Sequence, residues 1–376
     1  MTGLPPSPRA PSVLAIDLSA LADNWRLLKR RAAPADCGAV IKADGYGIGV
    51  ERVAPALYAA GCRAFFVAHA SEGRRARVVL PQADARLYAL NGLEATADPG
   101  ADYAAHRIAP VVGGPEELER WAAFAATLDR PPPCALHLDT GMNRLGFCSL
   151  DALIAATARW GTAGADLLIS HFVSSELSDD PLNAKQIARF EAARAAYPAL
   201  AASLANSSGV FLPTRPIFDL VRPGYALYGG NPTPGAPNPM KPVVTLEAAI
   251  QQTRWIEAGE TCGYNGQWTA RRRTRLATLP VGYADGLPRA AGGLDGREGA
   301  WVVVAGRRCP LVGRISMDLS IADATDLPEE AARPGEWARL FGPGADLDEF
   351  AAACGTIGYT LLTGLGPRYA RRVVGL

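Results

Sequence analysis

The feature that most constrains this chain is a series of short, continuously apolar runs set between helix-forming stretches. The runs are GAVIK (38–42), AFFVA (64–68), RLYAL (86–90), IAPVV (108–112), ALHLD (135–139), DLLIS (166–170) and FDLVR (218–222). A strand with one wet face alternates apolar and polar residues, whereas a run apolar throughout belongs to a strand covered on both faces, as in a parallel sheet. The intervening segments, such as PEELERWAAFAATL (115–128) and KQIARFEAARAAY (185–197), are rich in Ala, Leu, Glu and Arg and suit helices. VLAID (13–17) reads as an earlier strand. Asp17 or Ser19 then caps a helix over 19–32, with Leu21, Trp25 and Leu28 on one face. Such alternation over about 230 residues predicts a (β/α)8 barrel rather than a doubly wound sheet.

The pattern stops at NPTPGAPNPMKP (231–242), where five prolines in twelve residues can neither continue a helix nor occupy a central strand. Beyond it, VVTLEAAIQQTRWI (243–256), RLATLPV (275–281), GAWVVVAG (299–306) and LVGRISMDLSIAD (311–323) read as strands broken by Gly, Pro and Asp. One helix is expected near DLDEFAAACG (346–355). We therefore expect a barrel over 11–240 and an all-β domain over 241–376.

With 38 basic against 37 acidic side chains, nothing in the charge points to nucleic acid or a membrane surface. The first residues lack the charged start and apolar centre of a secretory signal, so a cytoplasmic protein is expected. Neither the seven scattered cysteines nor the four histidines have metal-ligand spacing, and no metal site is expected.

Chemistry-bearing residues recur at the ends of the barrel strands, the face on which barrel active sites sit. In AVIKADGYGIG (39–49), Lys42 ends a buried run. Burial disfavours the ammonium and makes the amine a nucleophile toward an aldehyde. Gly45, Gly47 and Gly49 would let backbone N–H groups approach an anion closely. The alternative is a strand-end charge reaching solvent above a glycine-rich turn. The spacing G-x-G-x-G does not match the dinucleotide fingerprint. HLDTGMNRLGF (137–147) brings Arg144, suited to carboxylate recognition, or else an Asp139–Arg144 pair bracing a loop. His171 ends another strand. NSSG (206–209) and RPGY (222–225) offer Asn206, Ser207 and the Gly224 backbone as neutral donors, beside the fixed charge of Arg222. Tyr264, Tyr283 and Tyr359 sit in glycine-containing turns of the second half.

Nine stretches, AVIKADGYG, HLDTGMNRLGF, SHF, ANSSG, FDLVRPGYALYG, GYNG, LPVGYADGLPR, GRISMD and TIGYTLL, occur in an order that resembles the alanine racemases, fold-type III enzymes using pyridoxal 5'-phosphate. The resemblance implies a barrel plus a β domain, and a homodimer whose sites are each completed by the partner's β domain. It implies interconversion of L- and D-alanine, supplying D-alanine for peptidoglycan. By the same resemblance Lys42 carries the cofactor as a Schiff base. Tyr46, Ser207, Gly224, Tyr225 and Tyr359 meet its phosphate, with Asn206 beside them. His171 packs against the ring and Arg222 meets the ring nitrogen. An arginine there does not surrender a proton, so the ring is a weaker electron sink than one paired with a carboxylate, which disfavours side reactions such as transamination. Lys42 and the partner's Tyr264 act as the two bases. Arg144 and the Met317 backbone hold the substrate carboxylate or its partner tyrosine. Tyr283 and Arg289 line the entrance.

Three positions depart from the family pattern. His137 stands where a lysine, often carbamylated, orients the arginine. Ile48 replaces a common histidine, and Thr360 a common glutamate. Other readings stay open: a racemase for another small amino acid such as serine, or a non-catalytic pyridoxal phosphate-binding protein. A decarboxylase would pair the ring nitrogen with a carboxylate, where this chain offers Arg222.

Overall fold

The computed structural model describes residues 10–94, 99–130 and 132–375; the first nine residues of the proline-rich start lie outside them. The chain divides into two compact units. One is Leu21–Met240; the other joins the segment up to Ala20 to the chain from Lys241 onward.

Strand β1 (Ser12–Asp17), expected to open the barrel, belongs to the second unit. It pairs antiparallel with 244–248 and parallel with 370–374. The reason is visible in its burial, which alternates residue by residue along SVLAID. That is the period of a half-covered strand, and only the apolar choice at Val13 and Ala15 disguises it.

In the unit Leu21–Met240 the parallel strands are β2 (Asp36–Cys37), β3 (Ala39–Val40), β4 (Ala64–Val67), β5 (Arg86–Ala89), β6 (Ala109–Val112), β7 (Cys134–His137), β8 (Ala165–Ile169), β9 (Ala201–Ser203) and β10 (Leu220–Val221). Strands β3 to β9 form one sheet in chain order. β2 and β3 are one path interrupted at Gly38, whose N–H bonds Val221 O. β10 pairs with β2, while Asp219 N and Arg222 N reach Ala202 O and Ala205 O beside β9. These bonds close the barrel. β4 and β6 are buried at every position, as their apolar runs require. β9 is the strand that the apolar pattern does not show: Ala-Ala-Ser carries little strand propensity, and its neighbours fix it.

The second unit is β-rich. With β1 it holds β11 (Val244–Ala249), β12 (Gln252–Ile256), β13 (Thr261–Cys262), β14 (Trp268–Thr269), β15 (Thr274–Leu279), β16 (Trp301–Val304), β17 (Arg307–Pro310), β18 (Ser320–Asp323), β19 (Trp337–Phe341) and β20 (Ala370–Val374). Six of these form a sheet in the order β17-β16-β19-β11-β1-β20, and β12-β15-β18 form a second. Only the last part of LVGRISMDLSIAD is strand; residues 313–319 form a loop. Helices span Leu347–Ala353 and, unforeseen, Gly358–Thr363.

Candidate active site

The lysine stands at the end of β3, where the backbone does something that the glycines only hint at. Ala43, Asp44, Gly45 and Tyr46 take φ of 53°, 56°, 62° and 54°, and Gly47 follows at 80°. This is a left-handed turn. Three of its residues carry a Cβ, which together cost roughly 3–6 kcal/mol. The N–H groups of Gly45, Gly47 and Gly49 bond the carbonyls of Ile41, Ala43 and Asp44. The expectation that these glycine amides approach an anion is therefore corrected: a turn of this hand directs them onto its own carbonyls. Asp44 Oδ1 accepts from Val50 N at 3.0 Å and from Arg75 at 2.9 Å, and Glu72 Oε1 accepts from Ala43 N at 2.7 Å.

Lys42 itself is half-buried. Burial lowers its pKa, Arg144 lowers it further, and Glu72 opposes both. His171, at the end of β8, is pushed down to about 3 by burial and then by Arg222, Arg144, Lys42 and His137. It is a neutral imidazole at any physiological pH, and Arg222, Arg144, Lys42 and His137 lie near enough around the same barrel mouth to disfavour its charge. Arg222 follows β10 and is 4% exposed. Its Nη1 donates to Ser203 O at 2.7 Å and Ser203 Oγ at 2.6 Å, and its Nη2 to Ser170 O at 2.5 Å. Burial lowers its pKa to about 10, so it stays charged at neutral pH. No carboxylate pairs with it among the described residues; its acceptors are carbonyls and a hydroxyl.

Beside this lies a small cradle. Tyr46 stacks on Tyr228 with ring centroids 4.4 Å apart, and burial raises the pKa of its phenol, keeping it protonated. Tyr228 is anchored by donating to Val40 O at 2.9 Å. A Cβ on Gly224 would run into the Tyr46 hydroxyl, so residue 224 must be glycine for the two to lie together. The Ser207 hydroxyl accepts from Gly224 N at 3.0 Å and Ala226 N at 3.2 Å. Tyr225 is buried in the turn that follows. Asn206 is turned to structure: its Oδ1 accepts from Ser175 Oγ and Gly209 N, fixing the short turn Ser208–Phe211.

Arg144 lies in an exposed loop after β7. Asp139 braces that loop, but not through Arg144. Its carboxylate accepts the N–H groups of Gly141, Met142 and Asn143 at 2.7–2.8 Å. Among the described bonds and ion pairs none engages the Arg144 guanidinium. His137 is pushed down to about 4 by burial and Arg222, and its buried Nδ1 has no partner among the described residues. Both residues line a cavity of about 300 Å³ with Asn91 and Glu117. Gln186, which no motif singles out, ties the neighbouring loops by donating to Thr140 Oγ1 and His171 O and accepting from Val173 N. Of the other departures from the family pattern, Ile48 is fully buried and Thr360 is exposed.

The β-rich unit gathers its own candidates on loops. Gly282 packs against Met317 O, Gly263 against Gly313 and Arg314, and Gly286 against Gly364, so the turns carrying Tyr264, Tyr283 and Met317 converge. Arg368 clamps two of them, bonding both oxygens of buried Asp285 and Oδ1 of Asp318. Tyr264 is 62% exposed, Met317 52% and Tyr283 41%. Arg289 is also exposed, and Tyr359 is half-buried on the helix Gly358–Thr363.

Residues 16–232 match the family model for the alanine racemase N-terminal domain, and residues 243–373 the model for the alanine racemase C-terminal domain. The alanine racemase of Methylobacterium sp. (strain 4-46) is 54% identical over 362 residues, 96% of this chain and 97% of that protein. The alanine racemase of Bartonella henselae, solved with covalently bound pyridoxal phosphate, superimposes with a TM-score of 0.90 at 38% identity, over 97% of this chain and all of that one. The biosynthetic alanine racemase of Pseudomonas aeruginosa gives a TM-score of 0.89 at 37% identity, with the same coverage.

Proposed function

This chain belongs to the alanine racemase family, and from that premise we propose that it interconverts L- and D-alanine with Lys42 and Tyr264 as the two bases. It is an isomerase, and its cofactor is pyridoxal 5'-phosphate. When bound, the cofactor supplies an electron-withdrawing ring that acidifies the α-hydrogen of the amino acid joined to it.

The residues present fit that group. The observation that carries the reading is the meeting, at one barrel mouth, of a pKa-lowered lysine, a buried cation that no carboxylate among the described residues pairs with, and the Tyr46 hydroxyl packed closely on Gly224. Tyr46, the Ser207 hydroxyl and the Tyr225 N–H would hold the phosphate with neutral donors; the Gly224 N–H, bonded to Ser207 Oγ, would fix that hydroxyl, Asn206 would fix the turn, and Tyr359 would be a further phosphate contact. Arg222 would face the ring nitrogen and neutral His171 the ring.

Racemisation needs a proton removed on one face of the α-carbon and delivered on the other. Lys42 Nζ serves one face; its lowered pKa raises the neutral fraction that can accept a proton. Tyr264 Oη serves the other. Because Tyr264, Tyr283 and Met317 are exposed on the β-rich unit, we assign them to the site of a second copy, in a homodimer. There Arg144 and the Met317 backbone orient the substrate carboxylate or Tyr264, while Tyr283 and Arg289 border the entrance. The seven cysteines are all free thiols, which suits a reducing compartment, and we place the enzyme in the cytoplasm. There its product serves peptidoglycan synthesis.

The test is incubation of the purified protein with pyridoxal phosphate and L-alanine in D2O, followed by chiral separation and mass analysis. D-alanine carrying α-deuterium is the expected product. A cofactor-loaded protein that leaves alanine untouched but racemises serine would overturn the substrate assignment. Growth of a racemase-deficient bacterium without added D-alanine checks the physiological role.

A further inference from the structure

The left-handed turn after Lys42 needs something outside itself to hold it, and the geometry points to Glu72 as a positioning residue for the lysine. Glu72 lies in the first turn of the helix Ala70–Val79, which follows the neighbouring strand β4. Its two carboxylate oxygens are divided between two strand-end loops. Oε1 accepts from Ala43 N at 2.7 Å, on the residue directly after Lys42. Oε2 accepts from Ala68 N at 2.7 Å and, at 3.5 Å, from His69 N. One rigid group thus fastens the end of β3 to the end of β4.

A carboxylate suits this place better than any neutral acceptor. Two amide donors approach from two directions, and only an ionised carboxylate presents an acceptor oxygen to each. A glutamine of the same size has one oxygen and one NH2, so it must lose one of the two. The same helix adds Arg75, whose Nη2 reaches Asp44 at 2.9 Å and Glu51 at 2.6 Å. That pair is exposed, so it supports the turn more weakly. Among the described residues Glu72 makes no hydrogen bond or ion pair with the substrate-facing groups described above; it acts through the Ala43 backbone on where the Lys42 amine stands. Glu72 is also the near anion that offsets the pull of Arg144 on the lysine.

This inference rests on Lys42 being the cofactor-bearing base, so its test needs a readout that does not depend on turnover. The full-length holoenzyme and its Glu72→Gln and Glu72→Asp variants are compared by amide hydrogen exchange, steady-state kinetics and thermal melting. In Glu72→Gln the Ala43 amide exchanges at least about 10-fold faster, and kcat falls about 10–100-fold with KM for alanine little changed, since a misplaced base rather than a lost substrate contact is responsible. Aspartate keeps the charge and can still cap Ala68 and His69, but is a methylene too short to reach Ala43. Glu72→Asp should therefore melt like the wild type and yet share the kcat loss and the fast Ala43 exchange. Should Glu72→Gln fail to fold, Glu72→Asp carries the test alone. Wild-type exchange at Ala43 with kcat within about twofold, or a kcat loss that Glu72→Asp repairs along with the melting temperature, would reduce Glu72 to a helix cap and overturn the proposal. A wild-type protein that does not racemise alanine while Ala43 still responds to Glu72 would instead defeat the reading of Lys42 and leave the clamp standing.

Discussion

The barrel mouth and the loop face of the β-rich unit hold their functional side chains in opposite ways. At the barrel mouth Arg222 and Ser207 are 4% exposed and Tyr46 6%, each locked by hydrogen bonds or stacking. On the β-rich unit Tyr264, Met317 and Tyr283 stand out into solvent, while the bonds that fix the turns of Tyr283 and Met317 lie behind them, in Asp285, Asp318 and Arg368. A buried, satisfied cluster suits permanent retention of a group. An exposed aromatic and thioether set on rigid turns suits presentation to another surface. The difference fits the division of labour proposed above, in which one face holds and the other completes a second copy's site.

The largest expected effects break that division outright. Lys42→Ala should lower racemisation about 10⁴-fold or more, since it removes both the covalent anchor and one base. Tyr264→Phe should lower it about 10²–10⁴-fold. Coexpressed, the two variants should regain about a quarter of the wild-type activity, because half of the randomly formed dimers would contain one site with both bases intact. A site built within one chain regains nothing, and that result would sink the shared site.

Tyr264→Phe alone sharpens the comparison. α-Proton loss to solvent should slow about 10²-fold or more for one enantiomer and far less for the other, read as deuterium exchange from each enantiomer separately. Equal slowing of both would mean that the exposed tyrosine is not a face-specific base.

A substitution on the holding face should act differently. Gly224→Ala pushes a methyl against the Tyr46 hydroxyl, so it should destabilise the chain by about 1–3 kcal/mol. We expect cofactor retention on dialysis to fall while the α-proton selectivity of the remaining loaded enzyme stays as in wild type. Denaturant titration and cofactor absorbance measure the two parts.

The last effect is in pH and concerns the barrel unit alone. All four histidines lie in the barrel unit, and two are held neutral, His171 at about 3 and His137 at about 4. Their unfolded pKa is near 6.5, so the unfolded state binds more protons below that value. The stability they confer is complete above pH 6.5 and is lost as pH falls from there, toward about 4 for His137 and about 3 for His171. His137→Gln should flatten this acid slope by about one proton, measured as the pH dependence of the denaturation midpoint.

How much of this was legible in the sequence depends on range. AFFVA and IAPVV announce buried strands because every residue on both faces is apolar. Ala201–Ser203 does not, because its serine is chosen to receive Arg222 rather than to fill a core. VLAID reads as a barrel strand, since nothing local says that its partners lie more than two hundred residues away. At the site, Lys42, His171 and Arg222 stand at strand ends and can be found by position. The clamp at Glu72 cannot: it is 29 residues from Ala43, and a glutamate in a helix's first turn looks like an ordinary cap. Gln186 is hidden in the same way, 46 residues from Thr140. The three glycines after Lys42 mark a turn, but its hand is imposed on Ala43, Asp44 and Tyr46 by groups outside the segment.

That hand sets fold stability and catalytic fitness against each other. Glycine is indifferent to the sign of φ, so Ala43→Gly removes a standing penalty and can make the protein more resistant to denaturant, by up to about 1 kcal/mol. The same change frees the residue next to the lysine to wander. A screen for thermal robustness would therefore keep a variant that a screen for turnover discards, and the strained alanine marks a position where the two optima diverge.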